Sequence, residues 1–504
     1  MLSPLIASRN SLIEKTKQSQ EELKIKKDRL GIEIPKRTTI NNSKSKLSTI
    51  EEEQELRHEI VEEHLKIFRN LLPKLLKDLS KIKDPRNPRK LEHKMTAVLL
   101  YGLLMFVLQM SSRREANREL TRPQFVENLK TLFPELETLP HGDTVNRVLA
   151  EIDVEKIQQT HIELVKKLIK NKKFKRYMTG YRYMIAIDGT QKFLREEPWS
   201  EESLEKTVDT KKGKKTLYYT YVLEANLVFE NGMVIPLMTE ILEASKGDIE
   251  KNKQDCELRA FKRLAKRLKK CFSHLPITVL LDSLYPNGPL LGLCRKYNWD
   301  YMIVLKDDSL KTVWEEAYGL KKLEIDNKLE GNWKGHDQHF WWINNIEYRY
   351  GNNGHYCLKV NVVVCEETWE EVNKQTGEIE TKKRKYAWLS NMPLSKENVK
   401  IRCNKIARSR WFTEENNLVE KHHGYNYEHC FSEDWSAMKG FHYLMRLAHI
   451  LNTLVQYSVK INEKIKGFGI RGIIELLVST LSGPWLDYER IERFISKKHQ
   501  IRLI

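Results

Sequence analysis

The chain contains few cysteines, and their spacing excludes two common ways of stabilising a small domain. Seven cysteines are spread over 504 residues, and no Cys-x-x-Cys pair occurs. A disulfide framework and a structural zinc ribbon both need paired or closely spaced cysteines, so we expect neither. The cysteine content instead favours a protein that folds in a reducing cytosol.

Long apolar runs are also lacking. The longest mostly apolar stretch, residues 95–110, lies between Lys94 and Arg113. It is shorter than the roughly 20 residues that a helix needs to cross a bilayer, so it predicts a buried helix and no membrane contact. Residues 1–30 are polar and lysine-rich, and we expect no signal peptide. No internal repeat is visible, and no clean helix-turn-helix signature stands out.

Positive charge is abundant. Lysine and arginine number 87 against 69 acidic residues, which gives a formal net charge of +18. Such an excess favours a polyanionic partner, most simply nucleic acid. Because 40% of the residues are hydrophobic and 9% are aromatic, the chain is expected to fold into several domains with a large core.

Two short apolar segments each end in an acidic residue. Residues 183–189 and 276–282 are continuous enough to predict strands buried on both faces, with Asp188 and Asp282 at their ends. Ligands collect at the carboxyl ends of neighbouring strands, and two adjacent carboxylates there would need a divalent cation between them. Each acid has a simpler interpretation: Asp188 before Gly189 could start a turn, and Asp282 could cap the following helix.

A third acid lies on a helix with two cations. No Pro or Gly interrupts residues 410–421, and helical spacing puts Arg410, Glu414 and Lys421 on one face. The simpler interpretation is a solvated stripe with an i,i+4 ion pair worth a few tenths of a kcal/mol. Together with the two strand acids, however, Glu414 would complete an oxygen cage for two Mg²⁺ (or Mn²⁺) ions, which can cleave a phosphodiester.

The segments between these acids have distinct patterns. Two strands joined by a turn at 230–232 predict a hairpin over 217–241, after a polar loop at 195–216. Residues 251–270 predict a strongly basic helix. Residues 310–400 are β-rich, with a charged stretch at 367–384 that is either a loop or a long hairpin. The fold class is therefore predicted to be α/β.

The order of these parts resembles the ribonuclease-H-like catalytic core of DDE transposases. The signature of the insertion-sequence-four superfamily, Y-x2-R-x3-E-x6-K, is matched in identity and spacing by Arg410, Glu414 and Lys421. Ala407 stands where the signature has Tyr, which removes one phosphate contact but leaves the acids. Two further segments are similar to motifs of related transposases: Lys251-x2-Gln254-Asp255-Cys256-Glu257 and Gly424-Tyr425-x2-Glu428-His429. The resemblance covers roughly residues 84–460.

The resemblance implies a domain order. We expect a ribonuclease-H-like core interrupted by a β-rich insertion domain and preceded by a helical domain. The expected segments are a basic N-terminal arm (1–58), a helical DNA-binding or support domain (59–176), the core in two parts (177–309 and 401–465), the insertion domain (310–400) and a C-terminal helical region (466–504).

The resemblance also implies an activity and a partner. A DDE transposase of this kind would use Asp188, Asp282 and Glu414 to bind two Mg²⁺ ions, cut double-stranded DNA at terminal inverted repeats and join the ends to target DNA. It would act as a homodimer, in the bacterial cytoplasm at the nucleoid. Alternatives are a ribonuclease-H-fold nuclease or resolvase without strand transfer, and a non-catalytic DNA-binding relative.

Further DNA contacts are expected around the acids. Arg410 and Lys421 would hold the backbone near the scissile phosphate, with Lys306 and His429 as additional contacts. In relatives with a β-insertion a Trp stacks on a flipped base, for which Trp333 and Trp341 are the candidates, with Trp342 as a third. Trp341 and Trp342 are adjacent in a strand and so face opposite sides, and we expect at least one of them to be core.

Overall fold

The computed structural model describes residues 4–30, 45, 47–211, 213–243, 253–465, 468–483 and 486–502, without the side chains of residues 4–10 and 253–256. The chain divides into two compact units. The strand-rich unit comprises Met1–Thr38 and Pro276–Arg410, and the helix-rich unit comprises Thr39–Leu275 and Trp411–Ile504. The fold is mixed α/β, as predicted.

The helices and strands are numbered in chain order. The helices are α1 (Pro4–Arg29), α2 (Ile50–Leu79), α3 (Met95–Val107), α4 (Arg113–Leu120), α5 (Pro123–Leu132), α6 (Gly142–Glu151), α7 (Glu155–Lys170), α8 (Lys253–Cys271), α9 (Gly288–Tyr297), α10 (Lys311–Lys321), α11 (Trp411–His422), α12 (Trp435–Gln456), α13 (Gly469–Ser482) and α14 (Tyr488–Ile495). The strands are β1 (Tyr183–Arg195), β2 (Leu204–Thr210), β3 (Gly213–Val228), β4 (Val234–Leu242), β5 (Ile277–Leu281), β6 (Asp300–Val304), β7 (Lys328–Trp333), β8 (His336–Tyr350), β9 (Tyr356–Val372) and β10 (Ile379–Ser390).

The core of the helix-rich unit forms around α12, which packs against α3, α6, α2 and α7. Helix α3 is the apolar run of the sequence, and it is buried from Ala97 to Val107, as predicted. Two glycines allow close helix contact. A Cβ on Gly102 would lie 3.0 Å from the side chain of Leu444, and one on Gly440 would lie 2.8 Å from Leu149. Among the described residues, no helix combines the length and apolar character needed to cross a membrane.

An antiparallel sheet completes the helix-rich unit. Strand β3 pairs with β1 along one edge and with β2 and β4 along the other. The predicted hairpin is confirmed as β3–β4, and Gly232 takes a positive φ of 84° in its turn. The prediction of a polar loop over 195–216 is wrong, because β2 and the start of β3 form a second hairpin there. The polar side chains of β2 are mostly exposed, which made the segment look like a loop.

The strand-rich unit contains a mixed sheet in the order β5-β6-β10-β9-β8-β7. Strands β5 and β6 are parallel and joined through α9, and the remaining neighbours are antiparallel. The ring of Tyr350 packs against α9 at Gly288, where a Cβ atom would lie only 2.1 Å from that ring. Residues 367–384 belong to the long β9–β10 hairpin, which turns at Gly377 with a φ of 70°.

Candidate functional site

Asp188 lies in the middle of β1, so the expectation that the strand ends at this acid is wrong. Strand β1 continues to Arg195, and a bulge between Gln191 and Phe193 makes Lys192 the extra residue. The simpler interpretation of Asp188 as the start of a turn is also wrong. Asp188 is directly opposite Glu224 of β3, and residues opposite each other in an antiparallel pair project from the same face of the sheet.

That face carries a buried ionic network. Arg446 of α12 donates two hydrogen bonds to Glu420 of α11, at 2.7 and 2.9 Å. The same guanidinium lies 3.0 Å from Oε2 of Glu224. Side chains of all three are at most 1% exposed. Because an isolated buried charge is costly, each carboxylate depends on Arg446 for its charge balance.

Further polar groups complete the network. Thr239 donates to Glu224 at 2.7 Å, and Tyr427 donates to the same carboxylate at 3.2 Å. His449 contacts Glu420 at 2.6 Å, and His442 lies 3.2 Å from Glu224. Burial acts to raise the pKa of Glu224, but Arg446 and His442 outweigh it and hold that pKa well below its usual range. The network is thus ionised at neutral pH.

Lys192 brings a second cation to this face. Its ammonium donates to the backbone carbonyl of Tyr427 at 2.9 Å and lies 4.4 Å from the centre of the Tyr427 ring. Desolvation lowers the pKa of Lys192 to about 8, and the carboxylates of Glu224 and Glu420 oppose that shift. Two carboxylates therefore face two cations inside the unit.

Helix α11, which carries Glu414, packs against β1 and β3. Glu414 itself is exposed. Lys421 forms an ion pair with Glu428 at 2.9 Å, which connects the helix to the Gly424–His429 motif. Within the helix-rich unit, the elements carrying Asp188, Glu414 and Lys421 are therefore neighbours.

The Gly424–His429 motif is held by buried tyrosines. Tyr425 accepts a hydrogen bond from Asn452 at 3.0 Å and stacks on His449, with ring centres 4.8 Å apart. His429 is exposed at the surface and meets Phe431 edge-on. Desolvation, Lys192 and Arg113 lower the pKa of His429. Its imidazole is therefore mostly neutral at pH 7.

Asp282 lies in the strand-rich unit, immediately after β5. Its Oδ1 accepts a hydrogen bond from the backbone N–H of Leu284 at 2.9 Å. The simpler interpretation of Asp282 as the cap of the following helix is wrong, because Asn287 caps α9. Strand β6 runs parallel to β5, and the exposed Lys306 follows its end. Asp282 and Lys306 therefore follow neighbouring strand ends at one edge of this sheet, as the sequence pattern predicts.

Arg410 ends the strand-rich unit. It follows a π-helical turn (Ile401–Ile406) and a short 3₁₀ helix (Ala407–Arg410). Irregular helical turns of this kind are rare and are often found at functional sites. Ala407, at the position of the signature Tyr, is buried.

The candidate stacking residues differ in exposure. Trp341 is only 3% exposed, with Tyr318 at 5.7 Å and the Lys321 ammonium 4.1 Å from its ring centre, and Trp342 is equally buried. The expectation that Trp341 stacks on a base is therefore corrected, because its ring fills the core. Trp333 is half-buried beside the β7–β8 turn, with Arg408 4.6 Å from its ring centre.

The predicted Mg²⁺ site is supported by the chemical type of its three candidate ligands. Among the residues that the structure describes, no three His, Cys, Asp or Glu side chains form a group able to hold a metal ion. Asp188 and Glu414 lie in one unit and Asp282 in the other. Carboxylate oxygens are the ligands that Mg²⁺ prefers, so the three acids fit the ion by type. Glu224 and Glu420 do not, since Arg446 already engages both.

Sequence reasoning missed the network. Glu224 is a charged residue inside the apolar strand β3, and Arg446 lies among apolar residues of α12. Each charge in an apolar run was a usable signal, because buried charges are rare unless paired.

The Lys251–Glu257 motif lies only partly within the described residues. Lys251 and the side chains of 254–256 lie outside them, and Glu257 is buried.

Part of the chain matches a known protein family. Residues 76–165 match the DDE_Tnp_1-associated family, a segment that spans the end of α2 to α7. The match indicates a relative of DDE-type transposases, although it covers much less than half of the chain and includes none of the candidate site residues. No curated protein matches the sequence significantly.

Proposed function

We propose that this protein is a DNA transposase that cleaves the ends of its element and joins them to target DNA. The main support is that α11, the helix of Glu414, packs on β1, the strand of Asp188. The transposase-associated match at 76–165 supports the same reading independently, because it lies in other residues.

The acidic residues would bind the metal ions, and the cationic residues would bind the DNA phosphates. Asp188, Asp282 and Glu414 would hold two Mg²⁺ or Mn²⁺ ions through carboxylate oxygens. The bound ions would activate a water or 3′-hydroxyl and stabilise the leaving oxygen. Arg410 and Lys421 would hold the phosphates beside the scissile bond, and the Lys421–Glu428 ion pair would keep that lysine in position.

The partner would be double-stranded DNA carrying the terminal inverted repeats, followed by target DNA. A net charge of +18 favours this polyanion. Synapsis of two ends would need a homodimer. Trp333, half-buried beside the β7–β8 turn, would stack on a base flipped from the duplex.

The decisive experiment uses purified protein, a duplex from the DNA flanking the gene, and a supercoiled target plasmid. Mg²⁺-dependent nicking followed by joining of 3′-hydroxyl ends to the plasmid is expected. Asp188→Ala, Asp282→Ala and Glu414→Ala should each abolish nicking, while Asp308→Ala, which removes an exposed carboxylate, should not. Full activity in all three triad variants would refute the site.

Two alternatives give different results in the same experiment. Nicking without joining would identify a nuclease or resolvase, which the acidic residues alone would equally support. Retention of DNA without any nicking, by wild type as by the variants, would identify a non-catalytic DNA-binding relative.

A further inference from the structure

We infer that Arg446 is a positioning residue that fixes the helix of Glu414 against the strand of Asp188. The expected effect of Arg446 on cleavage rests on the proposed function, whereas its effect on the position of α11 concerns the helix-rich unit alone. Arg446 connects Glu420, six residues beyond Glu414 on α11, to Glu224, the residue opposite Asp188. One guanidinium therefore joins α11, which carries Glu414, to β3, the strand paired with that of Asp188.

Helix α11 lacks the fully buried apolar side chains that usually dock a helix. All 12 of its residues are described, and those that are fully buried, Thr413, Asn416 and Glu420, are polar. The Thr413 hydroxyl and the Asn416 amide nitrogen make no hydrogen bond within the described structure. A helix normally docks by burying an apolar stripe, and the stripe here lacks a fully buried apolar side chain. Glu420 is therefore the principal anchor of α11.

The geometry of the anchor is directional. Arg446 donates to both oxygens of Glu420 through one guanidinium nitrogen, Nη1. Its other nitrogen contacts Glu224, whose second oxygen accepts from Tyr427. Apolar packing would tolerate rotation or sliding of α11, whereas a planar guanidinium that holds Glu420 with one nitrogen and Glu224 with another restricts both movements. A rotation of α11 would change the position of Glu414 relative to β1.

The location of the network fits a role in orienting α11 better than a role in stabilising the fold. A buried ion network often stabilises a fold no more than apolar residues of the same volume would. Here it lies on the face of the sheet that carries Asp188, and α11 contributes Glu420 to it. Arg446 touches neither the candidate metal ligands nor the DNA-contacting residues in the described contacts, so its effect on cleavage would be exerted through α11.

Hydrogen–deuterium exchange of the full-length protein tests this without any substrate. In Arg446→Lys, which keeps the charge but has one nitrogen in place of the two that reach Glu420 and Glu224, the amides of α11 should exchange about tenfold faster. The amides of β3 and α12 should keep their wild-type protection. Glu420→Gln, which keeps size and shape, should have the same local effect if the lysine variant does not fold. Glu415→Gln, which removes an exposed carboxylate from the same helix, is the matched control and should leave exchange unchanged.

Two outcomes would overturn the inference. Wild-type protection of α11 in both variants would show that Arg446 does not hold the helix. Faster exchange spread evenly through the helix-rich unit would show a general structural role instead. The cleavage assay adds a second readout: kcat should fall about tenfold while KM for DNA changes less, because Lys421 is the one proposed DNA contact that lies on α11. If wild type fails to cleave DNA, the proposed function fails, and the exchange result still decides the role of Arg446.

Discussion

The ring of Tyr221 covers the position where Gly189 would carry a side chain. A Cβ atom on Gly189 would lie 2.6 Å from both a ring carbon and the hydroxyl oxygen of Tyr221. Glycine therefore follows Asp188 because its neighbouring strand leaves no room, and not because the chain turns there. The dipeptide that suggested a turn in the sequence is a tight cross-strand contact.

Replacement of Gly189 by alanine should strain β1 beside Asp188. We expect Gly189→Ala to lower the free energy of unfolding by about 1–3 kcal/mol, the usual cost of overpacking. Tyr221→Leu, which shortens the opposing side chain, should recover part of that loss in the double variant. Thermal unfolding measures the effect. Gly319→Ala on α10, where a Cβ would meet nothing within 4 Å, is the control and should not destabilise. A Gly189→Ala variant as stable as the wild type would contradict the contact.

The tryptophans should separate into core and surface roles. Trp341→Ala should cost about 3–5 kcal/mol in the free energy of unfolding, because the side chain is buried. Trp333→Ala should cost much less but weaken binding of DNA with an unpaired terminal base by about 1–3 kcal/mol. Unfolding curves and binding to matched paired and unpaired ends measure both. The opposite assignment, with Trp341 controlling binding, would refute this division.

Arg408 should depend on its carboxylate partner. Its guanidinium lies between the rings of Trp333 and Tyr386, 4.6 and 4.4 Å from their centres, and it pairs with the buried Glu367. Glu367→Ala would leave the cation buried without its counter-ion, so we expect a loss of about 3–5 kcal/mol. Thermal unfolding checks this, with Lys26→Ala in an exposed ion pair as the control. Equal effects of the two substitutions would contradict the buried pairing.

Two buried histidines should make the protein sensitive to mild acid. Burial lowers the pKa of His64 and of His161 to about 4 from the usual 6.5. Between pH 6.5 and 4 the unfolded chain binds these protons and the folded chain does not, so stability falls as the pH falls through that window. Each group should cost about 2 kcal/mol between pH 6.5 and 5.

Thermal midpoints measured across this pH range test that sign. His161→Gln should flatten the acid limb, and His355→Gln, at an exposed position, should leave it unchanged. An acid limb that is the same in wild type and His161→Gln would show that His161 does not contribute.

Arg410 should matter more for cleavage than for retention of DNA. Under the proposed function it holds one phosphate beside the scissile bond, while the remaining positive charge provides most of the general affinity. Arg410→Ala should therefore lower the cleavage rate strongly and leave retention of the terminal repeats nearly unchanged. Rates under single-turnover conditions and gel-shift affinities measure the two. Equal losses in both would assign Arg410 to general binding.

Local patterns in the sequence were sufficient for most elements. The apolar run of α3, the β3–β4 hairpin, strand β5 before Asp282 and helix α11 were all predicted, since each depends on residue spacing or turn residues within one segment. The polar strand β2 was missed because its exposed side chains have the composition of a loop.

By itself, therefore, the sequence determined the order of helices and strands, the strong positive charge and the residue types of the candidate site. Only the tertiary structure decided that Asp188 lies opposite Glu224 in mid-strand, that Arg446 joins Glu224 to Glu420, and that Trp341 is core. Strand register and buried ion pairs depend on contacts between residues far apart in the chain, and no local periodicity encodes those contacts.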